Sequence, residues 1–143
     1  MSPLAFVSLE VLPEYECERL MRTQNVGRLG VVVVGDQPLI LPVNYAMQGR
    51  DVVFRTDRGT HVSQAAGHRV AFEIDGTDAA YREGWSVLVV GRAYEERDPG
   101  RIRELDHLPL RPWAPGGKDQ WIRITPGDIT GRRLVHHDAL HSE

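Results

Sequence analysis

Cysteine is almost absent from this 143-residue chain: Cys17 stands alone, so no internal disulfide can brace the fold. Lysine is equally scarce, since of 17 basic residues only Lys118 is not arginine. An excess of positive charge is missing as well. The formal net charge is -3 and the pI about 6.1, which leaves no footprint for a phosphate backbone and argues against a nucleic-acid partner. No apolar run approaches the length of a membrane span, and the N-terminus lacks a basic region followed by an apolar stretch and a small-residue cleavage site. With the lone thiol, these absences predict a cytoplasmic protein without a membrane partner. There is no G-x-S-x-G elbow, Walker loop or paired-carboxylate arrangement to support a hydrolase or a nucleoside-triphosphate enzyme. Neither repeats nor low-complexity linkers divide the chain, so one domain is expected over residues 1–134, followed by a C-terminal tail over 135–143.

What is present reads as strands. The β-branched run over 29–34 is too short for a helix and ends at Gly35 and Asp36. Residues 37–48 form a second strand interrupted at Pro42, and DVVFRTD over 51–57 a third. RVAFEID over 69–75 alternates as a half-buried strand. The long strand over 85–96 carries Gly91 as a marker of a bulge or barrel bend, and residues 120–126 form the final strand. Helical spacing of Cys17, Leu20 and Met21 behind Pro13 predicts a helix over 13–23. A hydroxyl at Thr60, small residues and Gly67 predict a short one over 60–67, and RIRELDHL another after Pro99. Six short strands, a few short helices and no βαβ alternation imply a mainly β fold, an antiparallel barrel with peripheral helices.

The ordered set VGRLGVVV, PLILPVNYAM, VVFRTDRGT, VAFEID, GWSVLVVGRA, RPWAPG and WIRITP resembles the pyridoxamine 5'-phosphate oxidase-like family, in particular its actinobacterial, nitroimidazole-reductase-like branch. The resemblance implies a six-stranded antiparallel split β-barrel and a homodimer with flavin sites at the subunit interface. It also implies FMN as the usual cofactor, with the deazaflavin F420 replacing it in some actinobacterial relatives, and an oxidoreductase acting on a small-molecule substrate. A flavin carrier, haem handler or redox sensor on the same fold is the non-catalytic alternative.

A flavin phosphate requires cations, hydroxyls and free backbone N–H groups. The segment FRTDRGT offers them, which makes Arg55, Thr56, Arg58, Gly59, Thr60 and His61 the candidates. By themselves these residues more readily describe a capped turn with solvated arginines; the resemblance reverses that preference in favour of the ligand role. Asp57 fits beside a phosphate only if it points away or pairs with Arg58. His61 stands where relatives often carry lysine, and a neutral imidazole holds a phosphate less firmly. For the ring edge the candidates are Pro42, Val43, Asn44 and Tyr45; the resemblance adds Phe54 and Arg55 as further neighbours, although alternation more often makes such a Phe54 plain core. Trp113, in the proline- and glycine-flanked RPWAPGG loop, is the aromatic suited to a ligand or dimer surface. Trp85 and Trp121 read as packing, Arg123 as a solvated face position, and Cys17 as a buried structural thiol. A metal site at His136, His137 and His141 is rejected, because no second rigid element supplies ligands.

Overall fold

The computed structural model describes residues 5–110 and 118–138. Among them, eight strands carry the chain: β1 (Ala5–Leu12), β2 (Val26–Val33), β3 (Gln37–Asn44), β4 (Ala46–Gln48), β5 (Asp51–Thr56), β6 (Arg69–Asp78), β7 (Glu83–Glu95) and β8 (Gln120–Asp138). Two helices accompany them, α1 (Glu14–Met21) and α2 (Pro99–Asp106). Every pairing is antiparallel. The strand order is β3-β2-β6-β7-β8-β5-β4, with β1 added to β8. β3 and β4 occupy opposite ends of that order, yet only Tyr45 separates them in the chain. The sheet must therefore curl until its ends approach, and this produces the antiparallel split barrel that the sequence leads one to expect.

Three expectations need correction. The strand over 37–48 does not break at Pro42. Proline cannot donate to a ladder, but β3 is an edge strand and Pro42 stays in register opposite Arg28. The break falls at Tyr45, where the chain leaves one sheet edge for the other. The predicted helix over 60–67 shrinks to one 3₁₀ turn, Ser63–Ala65, because Ala66 is extended and Gly67 takes a positive φ of 89°. Finally, the last strand does not give way to a tail at residue 135. β8 continues to Asp138 because β1, which the sequence reading passed over, pairs with it from Ala5↔Asp138 to Leu12↔Gly131.

β8 is the spine. One of its edges holds β7 over most of its length; the other holds β5 at the beginning and β1 at the end. The interior is filled by Leu29, Phe54, Phe72, Ile74, Val87, Val89, Ile122 and Ile124, all fully buried. Each such side chain contributes roughly 1.5–3 kcal/mol of burial. Helix α1 adds Cys17, Leu20 and Met21 to the same core. It can dock this closely because position 131 is glycine: a Cβ there would lie 2.5 Å from the Cys17 sulfur. Gly91 marks the expected bulge, where the β7–β8 register shifts between Val90 and Gly91 and a Cβ would meet the Thr125 carbonyl oxygen at 2.2 Å. Helix α2 starts behind Asp98, whose carboxylate accepts the Arg101 N–H at 2.9 Å, and packs Leu105 against Val53 and Trp121.

Candidate functional site

The β5–β8 ladder pairs Arg55 with Trp121 and Thr56 with Gln120. This register brings the start of β8 to the place where β5 ends and the FRTDRGT segment turns away. Arg55 is half-buried, and its Nε donates to the Lys118 carbonyl at 2.9 Å. Its guanidinium lies over the Trp121 ring, 5.0 Å from the centroid, a cation–π contact that fixes the plane of the group. Trp121 is itself held by its indole N–H, which donates to Asp106 at 2.9 Å. The two terminal nitrogens of Arg55 have no hydrogen bond to another described residue.

Thr56 and Thr60 share a hydroxyl contact of 2.8 Å, the Thr60 hydroxyl donates to the Asp57 carbonyl at 3.0 Å, and it accepts the Ser63 N–H at 3.1 Å. Gly59 sits at φ 83°, a conformation that costs glycine nothing and lets the chain reverse between Arg58 and Thr60. Asp57 pairs with Lys118 and not with Arg58: its carboxylate accepts the Lys118 backbone N–H at 2.7 Å and lies 3.5 Å from the ammonium. Arg58 is taken by Glu95, with contacts of 3.2 and 2.6 Å, and approaches Asp119 at 3.6 Å. Glu95 also accepts from Gln120 at 3.2 Å and from Arg97 at 3.4 Å. The Arg58 hydrogen bond in particular pulls the Glu95 carboxyl down to about 2. Thr56 and Thr60 thus meet through their hydroxyls and Arg58 joins Glu95 and Gln120, whereas Arg55, on the face of β5 shared with Val53 and Trp121, meets Asp57 only through Lys118; the His61 side chain is exposed. The single 3₁₀ turn that follows is too short to add a helix dipole.

Lys118, Glu95 and Gln120 take part in these contacts but went unnoticed in the sequence. Only strand pairing puts them there, β5–β8 for Lys118 and Gln120 and β7–β8 for Glu95, although the isolation of Lys118 as the one lysine beside a strand start was a usable signal.

The ring-edge candidates lie at the barrel seam. Pro42 is exposed, Val43 half-buried against the core, and Asn44 half-buried with its amide 3.5 Å from the Asn25 carbonyl. Tyr45 is 2% exposed; its hydroxyl donates to the Met21 carbonyl at 2.5 Å and its ring meets Phe72 edge-on at 5.1 Å. Burial pushes its phenol far above the usual range. Tyr45 and Phe54 are therefore core side chains, and only their backbones can face a ligand. A cavity of about 280 Å³ opens beside Tyr45, lined also by Met21, Asn25, Ala46, Met47 and Leu108. Trp113 and its loop, residues 111–117, lie outside the described residues.

Arg123 is not solvated. It is 4% exposed and bound to Asp51 at 2.9 Å, Gln48 at 2.5 Å and Glu96 at 3.3 Å. Cys17 is buried, as expected.

Comparison with known proteins agrees with this architecture. The pyridoxamine 5'-phosphate oxidase family model matches residues 13–133. A protein of Mycobacterium tuberculosis is 35% identical over 140 residues, covering 94% of this chain and 91% of the relative. The solved structure of an FAD-binding protein from Mycobacterium smegmatis is 36% identical, with a TM-score of 0.75 over 89% of this chain and 98% of that one. An FAD-binding protein from Mesorhizobium loti is 25% identical, with a TM-score of 0.73 over 90% and 98%.

Proposed function

The chain belongs to the pyridoxamine 5'-phosphate oxidase family, and from that premise we propose that it binds a flavin nucleotide between two copies of itself and serves as a flavin-dependent oxidoreductase for a small-molecule substrate. The observation that carries this reading is Arg55. A cation held at Nε, stacked on an aromatic ring and offering two terminal nitrogens is preorganised for an external phosphate. The Asp57 carboxylate is engaged by Lys118, which leaves the terminal nitrogens of Arg55 as donors that fit a phosphate. When bound, the flavin would supply the electron transfer, while this chain would orient and shield it. FMN is the smallest nucleotide that satisfies the junction; FAD is the second reading, favoured by the names of two relatives.

A homodimer is supported by the outer face of the sheet. Ile40, 75% exposed, lies beside Gly30 and Ala71 in an apolar groove of about 410 Å³, and Val32 is also exposed there. Large apolar groups beside small ones suit a self-complementary contact. No helix among the described residues is long and apolar enough to cross a membrane.

The absorption spectrum of the purified protein, after incubation with FMN, FAD and F420 in turn, tests the assignment. Bound oxidised flavin with a dimer of twice 16.1 kDa in light scattering is the expected result. Binding of F420 alone, a haem band, or a monomer that retains flavin would each overturn part of the proposal.

A further inference from the structure

Asp57 is the one acid of the FRTDRGT segment, and a carboxylate so close in sequence to the proposed phosphate ligand needs a physical reason to be there. Among the described residues its side chain meets only Lys118: Oδ1 accepts the backbone N–H at 2.7 Å, and Oδ2 stands 3.5 Å from the ammonium. Lys118 lies beyond the last rung of the β5–β8 ladder, Thr56↔Gln120, so no strand pairing holds it. Its N–H goes to Asp57, and its carbonyl accepts the Arg55 Nε–H at 2.9 Å. Lys118 also sits at φ 49°, in the left-handed region that a lysine seldom occupies unless its surroundings hold it there. The same residue is thus gripped on its N–H side and used on its carbonyl side. Because the ammonium and the carboxylate offset one another, the grip adds no net charge near Arg55.

We propose that Asp57 is a positioning residue for Arg55: it clamps Lys118 in the left-handed conformation and thereby fixes the carbonyl that anchors the Arg55 Nε. The proposal rests on the flavin reading above for what Arg55 receives, while the clamp itself rests on the hydrogen bonds. Asp57 holds the peptide plane before Lys118, and the chain after it runs straight into β8, so the residue cannot relax to negative φ. Released from Asp57, Lys118 is free to relax, and its carbonyl turns away from Arg55. The guanidinium then keeps Trp121 beneath it but loses its anchor at Nε. A long side chain freed in this way regains rotamer entropy that phosphate binding has to remove again, which weakens the phosphate contact and leaves the rest of the ligand untouched.

The test is a fluorescence titration of FMN and riboflavin into the wild type, Asp57→Ala, Asp57→Asn and Asp57→Ala/Lys118→Gly, with hydrogen exchange at the Arg55 Nε–H followed by NMR and assigned by its absence from Arg55→Ala. The Asp57 side chain is 40% exposed, so these substitutions leave the core alone. Expected for Asp57→Ala is FMN weakened about fivefold with riboflavin unchanged; Asp57→Asn, whose amide oxygen still accepts the Lys118 N–H, should stay within about twofold of wild type. Adding Lys118→Gly to Asp57→Ala should recover about half of the loss, because glycine reaches positive φ unaided. In the Arg55→Ala background Asp57→Ala should change neither ligand. The Arg55 Nε–H should exchange slowly in wild type and Asp57→Asn and rapidly in Asp57→Ala. The proposal is overturned by an FMN affinity that holds or rises in Asp57→Ala, by an equal loss of riboflavin, or by Asp57→Asn binding as weakly as Asp57→Ala. It is equally overturned by a loss that persists without Arg55 or that Lys118→Gly does not relieve, or by Nε–H exchange indifferent to Asp57. If the wild type binds neither ligand, the flavin reading fails, and the exchange measurement alone decides whether Asp57 orients Arg55.

Discussion

Arg123 and Arg55 sit two rungs apart on one ladder, opposite Val53 and Trp121 respectively, yet the protein treats them in opposite ways. Around Arg123 the chain supplies the partners: Asp51, Gln48 and Glu96 all receive its guanidinium, and it is nearly sealed from solvent. Around Arg55 it supplies a platform and one anchor, Trp121 and the Lys118 carbonyl, and among described residues no acceptor for the terminal nitrogens. The first arrangement has internal acceptors and therefore holds structure together. The second is oriented but incomplete, which is the state expected of a group that awaits an external anion. Arginine count and arginine position do not reveal this difference; only the partners do.

The largest effect should come from Arg123→Ala. It leaves the Asp51 and Glu96 carboxylates, the latter 6% exposed, without their shared cation, and breaking a buried pair in this way costs about 3–5 kcal/mol. Urea denaturation should show that loss, while flavin affinity of the folded fraction stays near the wild-type value. A variant of unchanged stability would dissolve the contrast between the two arginines.

Trp121→Leu should act on both sides of the comparison. It removes the stacking surface under Arg55 and the indole hydrogen bond to Asp106, so a stability loss of about 1–3 kcal/mol is expected. FMN affinity should fall several-fold as Arg55 loses its fixed plane, with riboflavin less affected. Equal losses for the two ligands would mean that the ring does not orient the guanidinium.

The smallest effect is on acid stability. The folded Glu95 carboxyl titrates at about 2, below the ordinary range, chiefly because Arg58 donates to it. A depressed folded value contributes stability that is complete above the unfolded pKa of about 4.3 and is lost as pH falls through the folded value. Glu95→Gln should therefore be slightly less stable than wild type at neutral pH and should show a shallower stability loss between about pH 4.5 and 2. Identical acid-unfolding profiles would show that the Arg58–Glu95 pair is not held in solution.

The barrel was legible because short β-branched segments separated by Gly35–Asp36, Gly49–Arg50 and similar turns admit few other folds. Gly91 as a bulge and Cys17 as core were readable from local pattern alone. What escaped was non-local. β1 is recognisable only through its partner, more than a hundred residues away at the end of β8, and the same pairing turned an expected tail into strand. The overestimated helix over 60–67 had an appropriate hydroxyl, small residues and a glycine stop, but tertiary packing allowed one turn. In the candidate site, the sequence pointed to a segment but not to the division of labour within it. That Arg55 is open while Arg58 is engaged depends on Glu95 and Lys118, which reach the junction from other strands or their flanks.

The central claim is that Arg55 receives the phosphate of a flavin nucleotide at the β5–β8 junction. Parallel titration of FMN and riboflavin into wild type and Arg55→Ala tests it most directly, since the two ligands differ only in that phosphate. A charge-assisted hydrogen bond is worth about 1.5–3 kcal/mol, so FMN should weaken by roughly tenfold or more while riboflavin binds as before. Equal loss of both ligands, or of neither, would contradict the assignment and leave the junction as an ordinary capped turn.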